Sequence, residues 1–321
     1  MPAPRYAIGI DLGGQSVKLA LVDDTARIFE REQHPIDATA SAEAVGTRIV
    51  EAVGALKRTA DADGRNVAAC GMVLPGYMDR ERTRLDYAAN LPALGGTDFL
   101  ESVRRSLGMP VVYDADVNAA AIGEYRFGAG RGVNRLIVTT VGTGIGAGVV
   151  IDGQILRIRN HIAGSLGHVI VDPRGPRCAC GARGCLEVHA SGRALERQAA
   201  TLADAHPNGR LAALRREEGR LTGIEIARAC REGDPDARRV IEEGGWWLGV
   251  GMATWAVIYR PDRILVGGGV AALGAPWLDA IGRGLSDVGQ PDATGQITIA
   301  SASLAPDSGI VGAAAMALDC L

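Results

Sequence analysis

Between His168 and Cys185 the chain places one imidazole and three thiols in the order H-x9-C-x-C-x4-C. Four soft or borderline donors that close together are what a closed tetrahedral zinc site requires. Pro173, Gly175, Pro176, Gly181 and Gly184 interrupt the segment, so Cys178, Cys180 and Cys185 are hard to place on any single core face. The spacing predicts a loop pinned by structural zinc through these four side chains. Buried thiols, a disulfide or redox chemistry are the alternatives. Glu187 follows two residues after the last cysteine, so an ion that fixes the loop also fixes that carboxylate.

The length of 321 residues exceeds what one hydrophobic core usually supports, which predicts two lobes with a cleft. Apolar residues make up 47% and charged residues 22%, an ordinary globular balance without the signature of disorder. A net charge of only −3 argues against a nucleic-acid surface. No apolar run is long enough to span a bilayer, and Met1 to Tyr6 lacks the pattern of a signal peptide. Cys70, Cys230 and Cys320 are widely separated, as expected in a reducing cytoplasm.

Taken in order, Tyr6 to Asp11 reads as a strand, Gly13-Gly14-Gln15 as a turn, and Val17 to Asp23 as the returning strand. Bare glycine amides there can approach a polyphosphate, and Asp11 could hold its accompanying metal ion; a plain hairpin is the alternative. Ala42 to Thr59 is amphipathic with a helical period, and Val67 to Leu74 is a buried strand ending at Pro75-Gly76. A strand ending at Tyr113 runs into Asp114-Ala115-Asp116, and Asn118 to Glu124 is rich in helix formers. Asp116 thus sits where a strand meets a helix start, the usual place for a catalytic group in an open α/β sheet. An N-cap would occupy the same position.

Asn134 to Thr140 is the next strand, Gly142-Thr143-Gly144-Ile145-Gly146-Ala147-Gly148 its turn, and Val149 to Gly153 leaves antiparallel. This repeats the first hairpin and predicts duplicated lobes facing one phosphate tail. The segment after these glycines is not helical, which excludes a dinucleotide fingerprint, and neither G-x-x-x-x-G-K-[ST] nor G-x-S-x-G occurs. Ser191 to Ala203 and Ile224 to Arg231 are helical, and Asp234 opens a long buried helix ending near Tyr259. Pro261 to Val266 is a strand with Gly267-Gly268-Gly269 as its exit, suited to a flat base or to a tight turn. Ile297 to Ala300 and the small-residue helix Asp307 to Leu318 complete the chain.

Together these features resemble the ROK family of bacterial sugar kinases and sugar-responsive repressors. The most specific parts are His168 with Cys178-x-Cys-Gly-x-x-Gly-Cys-x-Glu187, Asp11-Leu-Gly-Gly, and Gly142-Thr-Gly-Ile-Gly. Asp116-Val-Asn-Ala-Ala-Ala, Leu221-Thr222-Gly223 and Gly267-Gly-Gly support them. The resemblance implies an α/β, two-lobed actin/hexokinase-like ATPase fold with a cleft between duplicated lobes. It places one lobe at 1–115, joined by 305–321, and the other at 116–304. Asp116 becomes the expected general base, taking a proton from the sugar hydroxyl as that oxygen attacks the γ-phosphoryl group. Asp116 also joins Gly76, Asn90, Ser165, His168 and Glu187 as expected substrate contacts. Asp11, Gly13, Gly14, Gln15, Lys18, Gly142, Thr143, Gly144, Gly268 and Gly269 are expected to serve ATP and Mg²⁺. A cytoplasmic homodimer, without nucleic-acid or membrane partners, is also implied.

Two departures from the family pattern bear on the substrate. Kinases of glucose in this family usually carry Asn immediately before the base and Glu three residues before the zinc-binding His; here these are Ala115 and Ser165. Losing both contacts would cost a standard hexose on the order of 2–4 kcal/mol. Gln15 also replaces the usual Thr of the first phosphate loop. The leading expectation is an ATP-dependent kinase of a sugar or sugar-like polyol other than plain glucose. Alternatives are a glucokinase in which Ser165, Asp114 or a water restores the contacts, and a non-catalytic sugar sensor. With ten residues ahead of Asp11, a DNA-binding repressor is not expected.

Overall fold

The computed structural model describes residues 4–74, 76–79, 81–88, 90–158, 161–162 and 165–321. Pro75, of the Pro75-Gly76 turn above, and Gly164, which precedes Ser165, lie outside them. The chain forms two compact units: Met1–Gly132 with Gly148–Gly164 and Ser303–Leu321, and Val133–Ala147 with Ser165–Ala302.

In chain order the elements begin with β1 (Tyr6–Leu12), β2 (Ser16–Asp23), β3 (Ile28–Pro35), α1 (Ala42–Ala62) and β4 (Val67–Leu74). They continue with β5 (Tyr77–Met78), β6 (Leu85–Tyr87), α2 (Phe99–Leu107), β7 (Val111–Ala115) and α3 (Asp116–Phe127). Next come β8 (Arg135–Val141), β9 (Ile145–Ile151), β10 (Gln154–Ile155), β11 (Arg157–Ile158) and β12 (His161–Ile162). Four helices follow, α4 (Glu187–Ala190), α5 (Gly192–Ala205), α6 (Arg210–Glu218) and α7 (Gly223–Arg231), then the long α8 (Pro235–Tyr259). The chain ends with β13 (Arg263–Gly267), α9 (Ala275–Val288), α10 (Pro291–Thr294), β14 (Thr298–Ser301) and α11 (Ser308–Leu318).

The first unit is built on a sheet ordered β3-β2-β1-β4-β7, with β1 antiparallel to β2 and parallel to β4, and β4 parallel to β7. Alternation along β1 divides its faces. Ile8, Ile10 and Leu12 enter a core with Ile49 and Leu56 of α1 and Phe99 and Leu100 of α2. Each such side chain contributes on the order of 1.5–3 kcal/mol when fully buried. Ala7 points the other way, against Ile310, Ala314 and Ala317 of α11. That face is small-residue by necessity, because a Cβ at Gly9 would lie 2.2 Å from the Ile310 carbonyl oxygen and one at Gly71 1.9 Å from that of Ala313. Gly71→Val is therefore expected to destabilise the protein by more than about 2 kcal/mol, read as a lower urea midpoint. An unchanged midpoint would contradict this packing.

α3 packs on the same helix. A Cβ at Gly312 would lie 1.7 Å from the Ala119 carbonyl oxygen, and one at Gly123 2.6 Å from that of Ser308. Buried Glu124 ties the pair further: its carboxylate accepts from Ser303 N–H, Leu304 N–H, Ser308 Oγ–H and Ala129 N–H. These contacts keep 116–132 in the first unit, whereas the sequence reading ends that lobe at Ala115. Strand β3 was not anticipated. It is an edge strand, and its charged residues suit an exposed edge rather than an alternating core pattern.

The second sheet has the order β10-β9-β8-β13-β14, and the division between units falls within β9. β13 runs parallel to β8 and to β14. In the second unit α8 and α9 meet backbone to backbone: a Cβ at Gly249 would lie 2.2 Å from the Ile281 carbonyl oxygen, and one at Gly284 2.0 Å from that of Trp246. Trp255 and Trp277 fill the surrounding core. The glycines of α8 thus mark helix packing. Among the described residues no helix is long and apolar enough to cross a membrane.

Candidate functional site

The parallel strands of the first unit bring acidic residues to one end of the sheet. Register places Lys18 opposite Asp11, Asp11 beside Val73, and Val73 beside Asp114. Catalytic groups gather at such carboxyl ends because the strands stop there and helix N-termini begin. β7 ends at Ala115, and Asp116 is the first residue of α3, its Oδ1 accepting the Val117 N–H at 2.8 Å.

Asp116 is exposed by area, yet dense protein around it disfavours its charged form. Burial is the main cause of a pKa raised to about 6; the Val117 N–H opposes the rise and the neighbouring Asp11 adds to it. Its open surface tempers the effect of burial, because water still reaches the carboxylate. Asp11 is half-buried and also raised, by burial, against the pull of Lys18. Two carboxylates that each resist ionisation would both be relieved by a cation.

The turn after β1 is closed by Gly13 N–H donating to the Ser16 carbonyl at 2.9 Å. A Cβ at Gly14 would lie 2.6 Å from Cβ of Asn90, so the glycine lets Asn90 rest on this turn. Asp11, Gly13, Gly14, Lys18, Asn90 and Asp116 thus all belong to the first unit. Gln15 is exposed, and its carbonyl accepts the Ile36 N–H at 2.9 Å. Gly76, expected at the substrate, has φ 139°, and a Cβ there would lie 2.1 Å from the Tyr87 carbonyl oxygen. Its need for glycine follows from that close approach.

Sequence reasoning missed a charged cluster beside Asp116. Buried Asp114 accepts at Oδ1 from Ala115 N–H at 2.8 Å and Asn118 Nδ2 at 2.7 Å. Its Oδ2 accepts from Arg82 Nη1 at 3.1 Å and from Arg157 Nη2. No local pattern announces these partners, which come from a loop and a two-residue strand.

In the second unit Glu187 opens α4 and reaches the other glycine turn, its Oε2 accepting the Ile145 N–H at 2.9 Å. A Cβ at Gly144 would lie 2.4 Å from that oxygen. The turn is closed by Gly142 N–H donating to the Gly144 carbonyl at 3.0 Å, and Gly192 N–H donates to the Gly142 carbonyl at 2.7 Å. Thr143 lies between them, exposed. Gly268, at φ 87°, lies so close to Val141 that a Cβ would come 2.4 Å from its carbonyl oxygen, whereas one at Gly269 would meet nothing within 4 Å.

His168, Cys178, Cys180 and Cys185 present one donor atom each, all within 4.8 Å of one another. His168 Nδ1 is 3.6 Å from Cys178 Sγ, and Cys180 Sγ is 3.6 Å from Cys185 Sγ. A tetrahedral zinc ion with thiolate ligands spaces its donors about 3.8 Å apart, so the set fits. The cysteines are free thiols. Burial and then the neighbouring thiols push Cys185 up to about 12, a penalty that a bound cation reverses. The loop depends on its glycines: Gly184, at φ 71°, approaches Asp172 so closely that a Cβ would lie 1.5 Å from its carbonyl oxygen. Ser165 is exposed, and its carbonyl accepts the His168 N–H at 2.7 Å.

Comparison with known proteins follows the same lines. The glucokinase of Streptomyces coelicolor is 35% identical over 318 residues, 97% of this chain and 96% of its own length. The N-acetylmannosamine kinase of Citrobacter koseri is 29% identical over 316 residues, 97% of this chain and 98% of its own. A ROK family glucokinase from Streptomyces griseus, solved in complex with glucose and AMPPNP, superposes with a TM-score of 0.82 at 35% identity, covering 98% of this chain and 99% of that one. That structure and the ROK hexokinase of Thermus thermophilus, which superposes with a TM-score of 0.77 at 29% identity over 98% of each chain, share the actin/hexokinase-like sugar-kinase fold. The profile of the ROK family matches residues 7–320. A match of that extent takes in both units from β1 to the end of α11, and the chain belongs to the ROK family.

Proposed function

We propose that the chain is an ATP-dependent kinase that phosphorylates a hydroxyl of a sugar or sugar-like polyol other than plain glucose. Phosphotransfer to a hydroxyl rests on the family and on its sugar-kinase relatives. The observation that carries the mechanism is Asp116, an exposed carboxylate at a strand-to-helix junction with a pKa raised toward neutrality. In the forward step the acceptor O–H gives its proton to Asp116 while its oxygen bonds to the γ-phosphorus. The bond from that phosphorus to the bridging oxygen breaks, and ADP leaves. Catalysis is mostly positioning and charge neutralisation.

Asp11 would hold the Mg²⁺ that accompanies the nucleotide, and the amides around Gly13–Gly14 and Gly142–Gly144 would face its phosphates. The metal would neutralise charge on those phosphates. His168, Cys178, Cys180 and Cys185 would hold a structural zinc ion, which orders the segment leading to Glu187. Asn90, His168 and Glu187 would orient the acceptor.

A second reading, glucokinase proper, is favoured by the names of the relatives at 35% identity. Ser165 separates the two. Restoring a carboxylate there, Ser165→Glu, is expected to raise kcat/KM for glucose about 10- to 100-fold, as one charge-assisted contact would. The measurement is ATP turnover over a panel of hexoses, N-acetyl hexosamines and cyclitols. Glucose as the best acceptor of the unaltered protein, with no gain from Ser165→Glu, would decide for glucokinase.

A further inference from the structure

We propose that Arg82 and Arg157 form a receiving site for an oxyanion carried by the acceptor, so that the substrate is an acidic sugar: a sugar carboxylate or a sugar phosphate ester. This deepens the kinase reading and rests on it.

The cluster has more positive than negative charge. Both guanidinium groups donate to one oxygen, Oδ2 of Asp114, while its Oδ1 is occupied by Ala115 N–H and Asn118 Nδ2. Two cations sharing one oxygen lie within about 6 Å of each other, close enough to repel. One carboxylate cannot balance two guanidinium groups. Each carries five N–H donors, and among the described residues neither side chain has another acceptor. The Asp114 side chain is 4% exposed, whereas those of Arg82 and Arg157 are 38% and 35% exposed, so their remaining donors reach solvent. A second oxyanion would satisfy the surplus charge and the open donors together, and paired guanidinium groups suit such ligands.

Backbone geometry points the same way. Arg82 has φ 55°, a conformation that residues with side chains rarely adopt. Its loop is held by Asp79, whose carboxylate accepts from Thr83 N–H and Thr83 Oγ1, both at 2.7 Å, and from Arg84 N–H at 3.1 Å. Strain retained by a purpose-built turn commonly marks a ligand-facing position. Placement favours the acceptor over the nucleotide. Asp114 is two residues before the base, whereas the turn at Gly13–Gly14 follows β1, which is separated from β7 by β4.

The test measures ATP-dependent phosphorylation of D-glucose, D-gluconate, D-glucuronate and glucose 1-phosphate by the full chain and by Arg82→Gln. Arg157, Ala115 N–H and Asn118 still serve Asp114 in that variant, and circular dichroism checks its fold. The expected result is higher kcat/KM with a charged acceptor. In Arg82→Gln the charged-to-neutral ratio should fall about 10- to 100-fold through the acceptor KM, and Arg82→Lys should recover part of it. The gluconate, glucuronate and phosphate arms distinguish the two oxyanions. A ratio unchanged by Arg82→Gln, a change confined to the KM for ATP, or a preference of the unaltered protein for glucose would overturn the proposal. If the variant does not fold, calorimetric titration of the unaltered protein decides: tighter glucose than gluconate, glucuronate or glucose 1-phosphate also overturns it. Turnover of neutral sugars alone defeats only this inference; no turnover of any sugar defeats the kinase reading with it.

Discussion

Asp116→Asn is expected to lower kcat about 10²- to 10⁴-fold, the range over which a positioned general base acts, while leaving nucleotide affinity within a few-fold. The amide keeps an oxygen for the Val117 N–H, so α3 should still start at the same residue. What it cannot do is accept the acceptor's proton at neutral pH. The pH profile supplies an independent check. A base works only when ionised, and burial, with Asp11 nearby, raises the pKa of Asp116 to about 6. The kcat/KM of the unaltered protein should therefore be level above that value and fall toward tenfold per pH unit below it. The sign for stability is the reverse: the folded state binds this proton more tightly than the unfolded chain, so Asp116 disfavours folding above about pH 6 and this penalty is relieved as pH falls. Turnover that survives Asp116→Asn would remove the residue from the mechanism.

Loss of the proposed zinc ion should have the second largest effect. Cys185 is fully buried, and Cys185→Ser replaces a thiolate with a much weaker ligand. The expected outcome is loss of one bound zinc per chain by elemental analysis and a Tm lower by about 10 °C or more, given the several kcal/mol a structural zinc ion supplies. Chelation of the unaltered protein should do the same and expose 165–187 to protease. Activity should fall as well, because Glu187 braces the turn at Gly142–Gly144 from the end of that loop. Metal-free protein with an unchanged Tm would refute the assignment.

What could be read from the chain depended on how local each feature is. The four metal-type donors lie close in sequence, and loop geometry alone brings them together. The junction at Asp116 was legible because a strand ending and a helix beginning leave a joint signature. The charged cluster was not: Arg82 and Arg157 meet Asp114 across sequence separations of 32 and 43, and an arginine has no periodicity that reveals its partner. Glu187 was anticipated as a substrate contact, but its bond to Ile145, 42 residues away, follows from tertiary packing. The lobe boundary shifted for a similar reason. Glu124 and the glycines joining α3 to α11 act through contacts that no window of sequence contains.

The position of α11 has a consequence for synthesis. The sheet of the first unit is made entirely from the first 115 residues, yet the helix that lies against Gly9 and Gly71 is drawn from 308–318. While the ribosome translates the intervening stretch, that sheet face has no lid and shows Ala7, Ala20, Val22 and Ala69 to water. Small residues make it a poor adhesive surface, which limits aggregation during the wait. The first unit can reach its final form only once 308–318 has been made, after the second has had its opportunity to fold.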